Sequence, residues 1–261
     1  MERYDLARGR RVGSVELAAP VIAVASGFGA VWALDTGATL YRLQPRSLHI
    51  VERIRLGARA PYNIWIGAGS VWVVDDGTGR LIRVSRTTNR VTTRLAVGDG
   101  PSDMVFDGTT AWIVNHRDKG LVRLDTRTNT FTRLATLPGD APERIARLGA
   151  SLWITGRGTD LLQVDSSTGD VTAVVEIGAS GIDVVAAGPA LWIPTRSEAV
   201  DRTGFPTMDG LRRVTADGSV TTVTSANGRV DVHGLAAGPG AASVWLADNT
   251  SGRLYRIPAR L

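Results

Sequence analysis

Six tryptophan-centred tripeptides punctuate the chain: Ala-Val-Trp at Ala30 to Trp32, Ser-Val-Trp at Ser70 to Trp72 and Thr-Ala-Trp at Thr110 to Trp112. Ser-Leu-Trp at Ser151 to Trp153, Ala-Leu-Trp at Ala190 to Trp192 and Ser-Val-Trp at Ser243 to Trp245 complete the series. The steps between successive tryptophans are 40, 40, 41, 39 and 53 residues. Self-similarity at this period restricts a chain to stacked or radially arranged copies of one small unit, because each copy alone has too little apolar face to bury. The six copies fill the 261 residues with no linker between them.

Each copy reads as four short strands. The third is the clearest: SDMVFD, TAWIVNH, GLVRLDT and TFTRLATL, separated by Asp-Gly, Arg-Asp-Lys-Gly and Thr-Arg-Thr-Asn. Short β-branched and aromatic runs bounded by turn residues are an all-β signature. No sustained apolar stripe of helical period occurs. Four strands per 40-residue unit predict a six-bladed β-propeller with four-stranded antiparallel blades over residues 20–57, 61–98, 101–138, 142–178, 181–225 and 230–261. The last copy stops at Leu261 without a fourth strand, and RRVGSVELAAP near the start resembles the fourth-strand segment of the second copy. Residues 10–19 are therefore expected to complete the last blade and close the ring in one domain.

Hydrophobic residues make up 43% of the chain and charged residues 21%, ample for a buried core. No apolar run approaches the roughly 20 residues of a membrane span, and MERYDLARGRRVGSVELAAP has no signal core. A monomeric, cytoplasmic protein is expected for the chain as it stands, or an extracytoplasmic one if a leader or anchor preceded it. The absence of cysteine excludes disulfides and thiolate metal chemistry. The pI is near 10.3 with a formal charge of +5, and Lys119 is the single lysine among 30 basic residues. Arg42, Arg83, Arg123, Arg213 and Arg256 share one place on the third strand, with Gln163 the sixth. Basic residues dispersed by the repeat do not gather into one face, which argues against nucleic acid. Pairing with turn carboxylates is the expected role.

The repeat tryptophans read as packing residues between sheets. Trp65, outside their register on an innermost strand, has two readings, core or channel. Two other registers vary from copy to copy. Nine residues before the tryptophan stand Ala23, Asn63, Asp103, Arg144 and Asp183, and matching the AAGP segments puts His233 in the sixth place. Three residues after it stand Asp35, Asp75, Asn115, Gly156, Thr195 and Asp248. Structural positions in a repeat tend to be uniform, so mixed polar positions point to a ligand site at the channel mouth, for a small molecule or peptide. Asn63, Asp103 and Asp183 offer oxygen donors suited to Mg²⁺ or Ca²⁺.

The fifth copy carries about ten extra residues, Ser197 to Pro206, between its second and third strands. These are expected to form a loop overhanging the mouth, with Phe205 closing over a ligand and Arg196, Glu198 and Arg202 binding its polar groups.

VWVVDDGTGRLIRVSRTTNRVTTRLAVGDGP and TAWIVNHRDKGLVRLDTRTNTFTRLATLPGDAP resemble the repeat of YVTN-type (YncE-like) propellers. That resemblance covers essentially the whole chain and implies a binding or sensory module. A narrower similarity is to streptogramin (virginiamycin B) lyase, whose blades carry a His before and a carboxylate after the tryptophan in support of a Mg²⁺-assisted elimination. VDVHGLAAGPGAASVWLAD offers His233 and Asp248 as the matching catalytic pair. Asp stands there for Glu, six blades for seven, and Ile182 and Asp183 where a second His would be. Gluconolactonase-type hydrolases share the blade number and a Glu/Asn/Asp metal centre, an analogy of fold alone that would draw on Glu143 and the same donors.

Overall fold

In the computed structural model the described residues are 1–5, 8, 10–200, 206–224, 232–248 and 253–259, with backbone alone for 197–200, 206–209, 224, 232–234, 239, 248 and 253. Strands alternate with tight turns throughout, and the helical content among the described residues is two 3-10 turns, Asp76–Thr78 and Pro239–Ala241. Six antiparallel sheets follow one another in chain order, the blades of a six-bladed β-propeller. Among the described residues no helix is long and apolar enough to cross a membrane.

The chain divides into two compact units, the first being residues 1–111 with 123–132 and the second 112–122 with 133–261, so the division runs through the third blade. The first unit contains blade one (Val21–Gly27, Ala30–Asp35, Thr39–Leu43, Ile50–Arg55) and blade two (Pro61–Gly67, Ser70–Asp75, Arg80–Ser85, Val91–Ala96). Blade three starts in it with Pro101–Asp107 and continues through Thr110–Asn115, Gly120–Asp125 and Thr130–Thr136. The second unit holds blade four (Pro142–Leu148, Ser151–Gly156, Asp160–Asp165, Val171–Glu176) and blade five. Blade five has a broken inner strand, Ser180–Gly181 and Val185–Ala187, followed by Ala190–Val200, Pro206–Thr215 and Val220–Thr224. The sixth sheet is Val232–Ala237, Ser243–Asp248 and Arg253–Pro258.

Apolar residues cluster on the second and third strands because both faces of those strands meet other sheets. Trp32, Trp72, Trp153 and Trp192 have no solvent exposure, as expected of packing residues. Trp32 joins Leu34, Leu40, Ile64, Val71 and Val73 between blades one and two. Trp153 packs with Leu161, Val184, Leu191 and Ile193 between blades four and five. Burying one such side chain contributes on the order of 2–3 kcal/mol, so the tryptophan ring is the main adhesive between blades.

Two of the repeat arginines, Arg42 and Arg83, act as staples on neutral turn groups, where carboxylate pairing was expected. Arg83 lies 5.0 Å over the Trp72 ring, and its guanidinium donates to Thr126 O (2.7 Å) and Asn129 Oδ1 (2.8 Å) in the next blade. Arg42 repeats this on Trp32, donating to Arg86 O and Asn89 Oδ1 at 3.1 and 3.0 Å. Asn89 and Asn129 have φ of 56° and 60°, a left-handed turn position that tolerates Asn and presents its amide oxygen to the arginine. A neutral turn amide and carbonyl satisfy the fork without a carboxylate.

The expected N-terminal closure differs from what the structure holds. Arg10–Ser14 pairs with Glu2–Asp5 as a hairpin, while the sixth sheet has three strands among the described residues. The chain start supplies its own partner: the Met1 amino group donates to Val15 O at 2.9 Å, and Arg11 pairs with Glu2 at 2.6 Å. Met1, Val15 and Leu17 cover Ala33, Tyr41 and Leu43 on blade one. Local pairing closes a loop of a few residues, whereas pairing across the whole chain carries a larger closure entropy.

Candidate functional site

The two variable polar registers have internal work to do. At the first, the inner strand loses its register: the pairing slips between Val21 and Ala23, Pro61 and Ile64, Pro142 and Arg144, and Val232 and Gly234. A bulge frees a backbone N–H that must find an acceptor. Ile64 N–H donates to Asn63 Oδ1 (2.8 Å), Met104 to Asp103 Oδ1 (2.7 Å) and Val184 to Asp183 Oδ1 (2.8 Å). At Asn63 the side-chain oxygen closes the blade-two bulge, and Asp103 and Asp183 accept the following N–H in the same way. Asp103 also accepts Trp65 Nε1–H at 2.8 Å, so Trp65 is a partly buried link between blades two and three.

The second register bonds nearby loops and strands. Asp75 is 2% exposed and accepts from Ala60 N (2.8 Å), Arg59 N (3.1 Å) and Thr78 Oγ1 (2.6 Å). Burial on its own raises this carboxyl, but the hydrogen bonds from Thr78, Ala60, Arg59 and Gly77 outweigh it and hold the pKa below the usual carboxylate range. Asp35, equally buried, accepts from Thr39 N (2.8 Å) and the Tyr41 hydroxyl (2.9 Å). Asn115 is fully enclosed, and the Thr195 hydroxyl donates to Gly210 O at 3.2 Å. Burial takes Asp35, Asp75 and Asn115 out of reach of a ligand arriving from solvent. In blade four the position is Gly156, because the loop passes so near that a Cβ there would run into the carbonyl oxygens of Asp140 and Ala141.

Accessible charge remains at one end of blades four and five. Arg144 and Asp183 come together at 3.9 Å with 21% and 31% of their side chains exposed. Beside them Arg157 pairs with Glu143 at 2.9 Å. Ser180 Oγ donates to Gly156 O (3.2 Å), and Ser180 lies opposite Arg196 in the blade-five ladder. Glu143, Arg144 and Arg157 of blade four thus share an end with Asp183 and Arg196 of blade five. Although Asp183 is open on one side, the surrounding protein removes enough water to push its carboxyl up, against the opposing pull of Arg144 and the N–H groups of Val184 and Leu235. A carboxylate held at such a cost is a functional candidate.

A cleft of about 100 Å³ opens at the same end of blade four, between Pro142, Gly156, Asp160 and the aliphatic side chains of Ile154, Leu162 and Val174. Sequence reading missed it. Its one legible signal was Val174, an aliphatic on an outer strand where solvent was expected, and 57% exposed in the structure.

The extra residues of blade five form an extension of the ladder where a loop was expected. Thr195 pairs with Gly210, Arg196 with Met208 and Val200 with Pro206. Added residues that pair across a hairpin satisfy each other's backbone groups, which an irregular loop would leave to water. Phe205 and Arg202 lie outside the described residues, as do the side chains of Glu198, His233 and Asp248. The backbone opposes Val232 to Asp248 with His233 in the intervening bulge. Among the described residues no three of His, Asp and Glu are gathered closely enough to hold a metal ion. Oδ1 of Asn63, Asp103 and Asp183 each accepts a backbone N–H.

No family model matches the chain, and no curated protein does. Solved structures do. A chain of the Kuenenia stuttgartiensis hydrazine synthase superposes with a TM-score of 0.79 at 14% identity over 94% of this chain and 78% of that one. A streptogramin B lyase gives 0.71 at 17% over 93% and 85%. BamB from Moraxella catarrhalis gives 0.64 at 15% over 95% and 73%. At such identities the likeness speaks of architecture, and the functions of these neighbours differ from one another. The chain is a six-bladed β-propeller, and the YVTN-type character of its repeats rests on the sequence resemblance alone.

Proposed function

We propose that the protein is a binding propeller that takes a peptide segment at the shared end of blades four and five. The observations that carry this reading are the 100 Å³ aliphatic cleft at this end of blade four and the Arg144–Asp183 and Arg157–Glu143 pairs at the same end, Arg144–Asp183 lying on the blade-five side. Small-molecule sites run to several hundred Å³; this cleft suits a single aliphatic or proline side chain. The paired charges then meet the backbone or a neighbouring polar side chain of the same peptide. Their guanidiniums donate to carboxylate or carbonyl oxygens in a fixed fork, and Asp183 and Glu143 accept from N–H donors. The lengthened blade-five hairpin extends the wall beside Arg196.

Panning a random peptide phage library on the full chain tests this. Enriched peptides are expected to bind wild type and to weaken at least tenfold on Val174→Glu and on Arg157→Ala. Peptides that bind both variants as well as wild type would put the site elsewhere.

A metal-assisted lyase or hydrolase is the second reading, supported by the backbone register that sets His233 beside the end of the strand carrying Asp248. Co-purified Mg²⁺ or Ca²⁺ in elemental analysis, with an EDTA-induced drop in melting temperature, would favour it; neither effect would count against it.

A further inference from the structure

We propose that the end of the first unit that carries the strand-three-to-four turns docks on an anionic bilayer surface. The net charge of the protein is not spread over it. The first unit holds 16 basic residues against 11 acidic, the whole net +5, and the second holds 14 of each.

Within the first unit the excess lies at homologous turn tips. Arg46 stands on the turn of blade one, Arg86 and Arg90 on that of blade two and Arg127 on that of blade three, all exposed. The corresponding turns of blades four and five, Ser-Ser-Thr-Gly and Ala-Asp-Gly-Ser, carry no basic residue. No ion pair holds these four guanidiniums among the described residues. Nearby carboxylates are engaged: Asp125 accepts Arg127 N–H at 2.8 Å, and Asp5 pairs with Arg8 at 2.7 Å. Asp107, on an adjoining turn, offsets part of the excess.

Hydrogen bonds tie the blade-two and blade-three tips to neighbouring residues. Arg42 holds the carbonyl of Arg86, Arg83 holds that of Thr126, and Thr126 N–H donates to Thr109 O at 2.9 Å. Arg86 itself lies 4.7 Å over the Phe28 ring on the adjoining turn of blade one. Because each blade repeats one geometry, the arginines stand at homologous places on one end of the unit. Beside Arg127 the blade-three tip exposes Phe131 (43%), an apolar side chain among arginines of the kind that enters the headgroup layer. Next to the blade-one turn, where Arg3 donates to Pro45 O at 3.3 Å, the N-terminal hairpin exposes Tyr4 (51%), Val12 (36%), Arg10 and Arg11. An amphipathic ring and an aliphatic side chain among arginines suit the headgroup layer.

Co-sedimentation of the full chain with phosphatidylglycerol-containing vesicles tests the assignment, with pure phosphatidylcholine vesicles and a DNA duplex as comparison arms. Binding is expected to the anionic vesicles alone and to fall steeply between 50 mM and 500 mM salt. The triple variant Arg46→Glu, Arg90→Glu, Arg127→Glu should weaken it roughly tenfold or more. Arg53→Glu, Arg55→Glu, Arg80→Glu, with the same change in net charge away from the tips, should stay within about twofold of wild type. Circular dichroism of both variants keeps misfolding from counting as loss of binding. No binding to anionic vesicles, equal loss in both triple variants, or a preference for the duplex would overturn the proposal.

Discussion

Arg83 of blade two sits 5.0 Å above the Trp72 ring while its guanidinium reaches the carbonyl of Thr126 in blade three. One residue thereby ties a blade's own core to its neighbour's turn. Arg83→Ala should destabilise the protein by about 2–3 kcal/mol, since it strips charge-assisted hydrogen bonds from partly buried acceptors and removes the cation–π contact. The equivalent Arg42→Ala should lose less, because one of its bonds lies in an exposed setting. Melting curves of the two variants give the order directly.

Two aspartates should respond to pH in opposite senses. The Asp75 carboxyl lies lower in the folded state than in the unfolded one. It contributes stability above its unfolded pKa, and that contribution disappears as pH falls through the folded value. Asp75→Asn should therefore be clearly destabilising at pH 7 and less so in acid. The folded Asp183 carboxyl lies higher than its unfolded value, so ionising it opposes folding once pH rises into that window. Asp183→Asn should melt at or above wild type at pH 7, with the difference closing below the usual carboxylate range.

Among the described residues the buried Thr155 hydroxyl has no hydrogen-bond partner. An isosteric Thr155→Val removes that penalty and should raise stability by about 1 kcal/mol, on the order of 2–4 °C in Tm. A lower Tm would mean the hydroxyl has a role in the fold.

Gly156→Asp would install the residue type that blades one and two use at that place. It should nevertheless cost more than about 2 kcal/mol, because the carbonyls of Asp140 and Ala141 occupy the space of a Cβ. Wild-type-like melting would contradict the close approach.

The blade count and the strand positions were legible because a 40-residue period carries them six times over, and the tryptophan ring reports packing in every copy. Pairing of the chain start was not. RRVGSVELA has the pattern of a fourth strand, but MERYD offers it a nearer partner that a repeat-based reading does not weigh. Variation at Asn63, Asp103 and Asp183 looked like a ligand signature, yet each oxygen accepts the N–H of the next residue. Sequence shows that a position is polar without showing whether a backbone N–H waits one residue away. The cleft beside Val174 stayed hidden because it depends on how closely a loop passes Gly156, a distance no residue pattern encodes.

Hydrogen–deuterium exchange of the full chain with and without a library-selected peptide tests the central claim most directly. The account predicts new protection concentrated in segments 138–145, 154–162 and 180–184. Protection confined to other blades, with these segments unchanged, would contradict it.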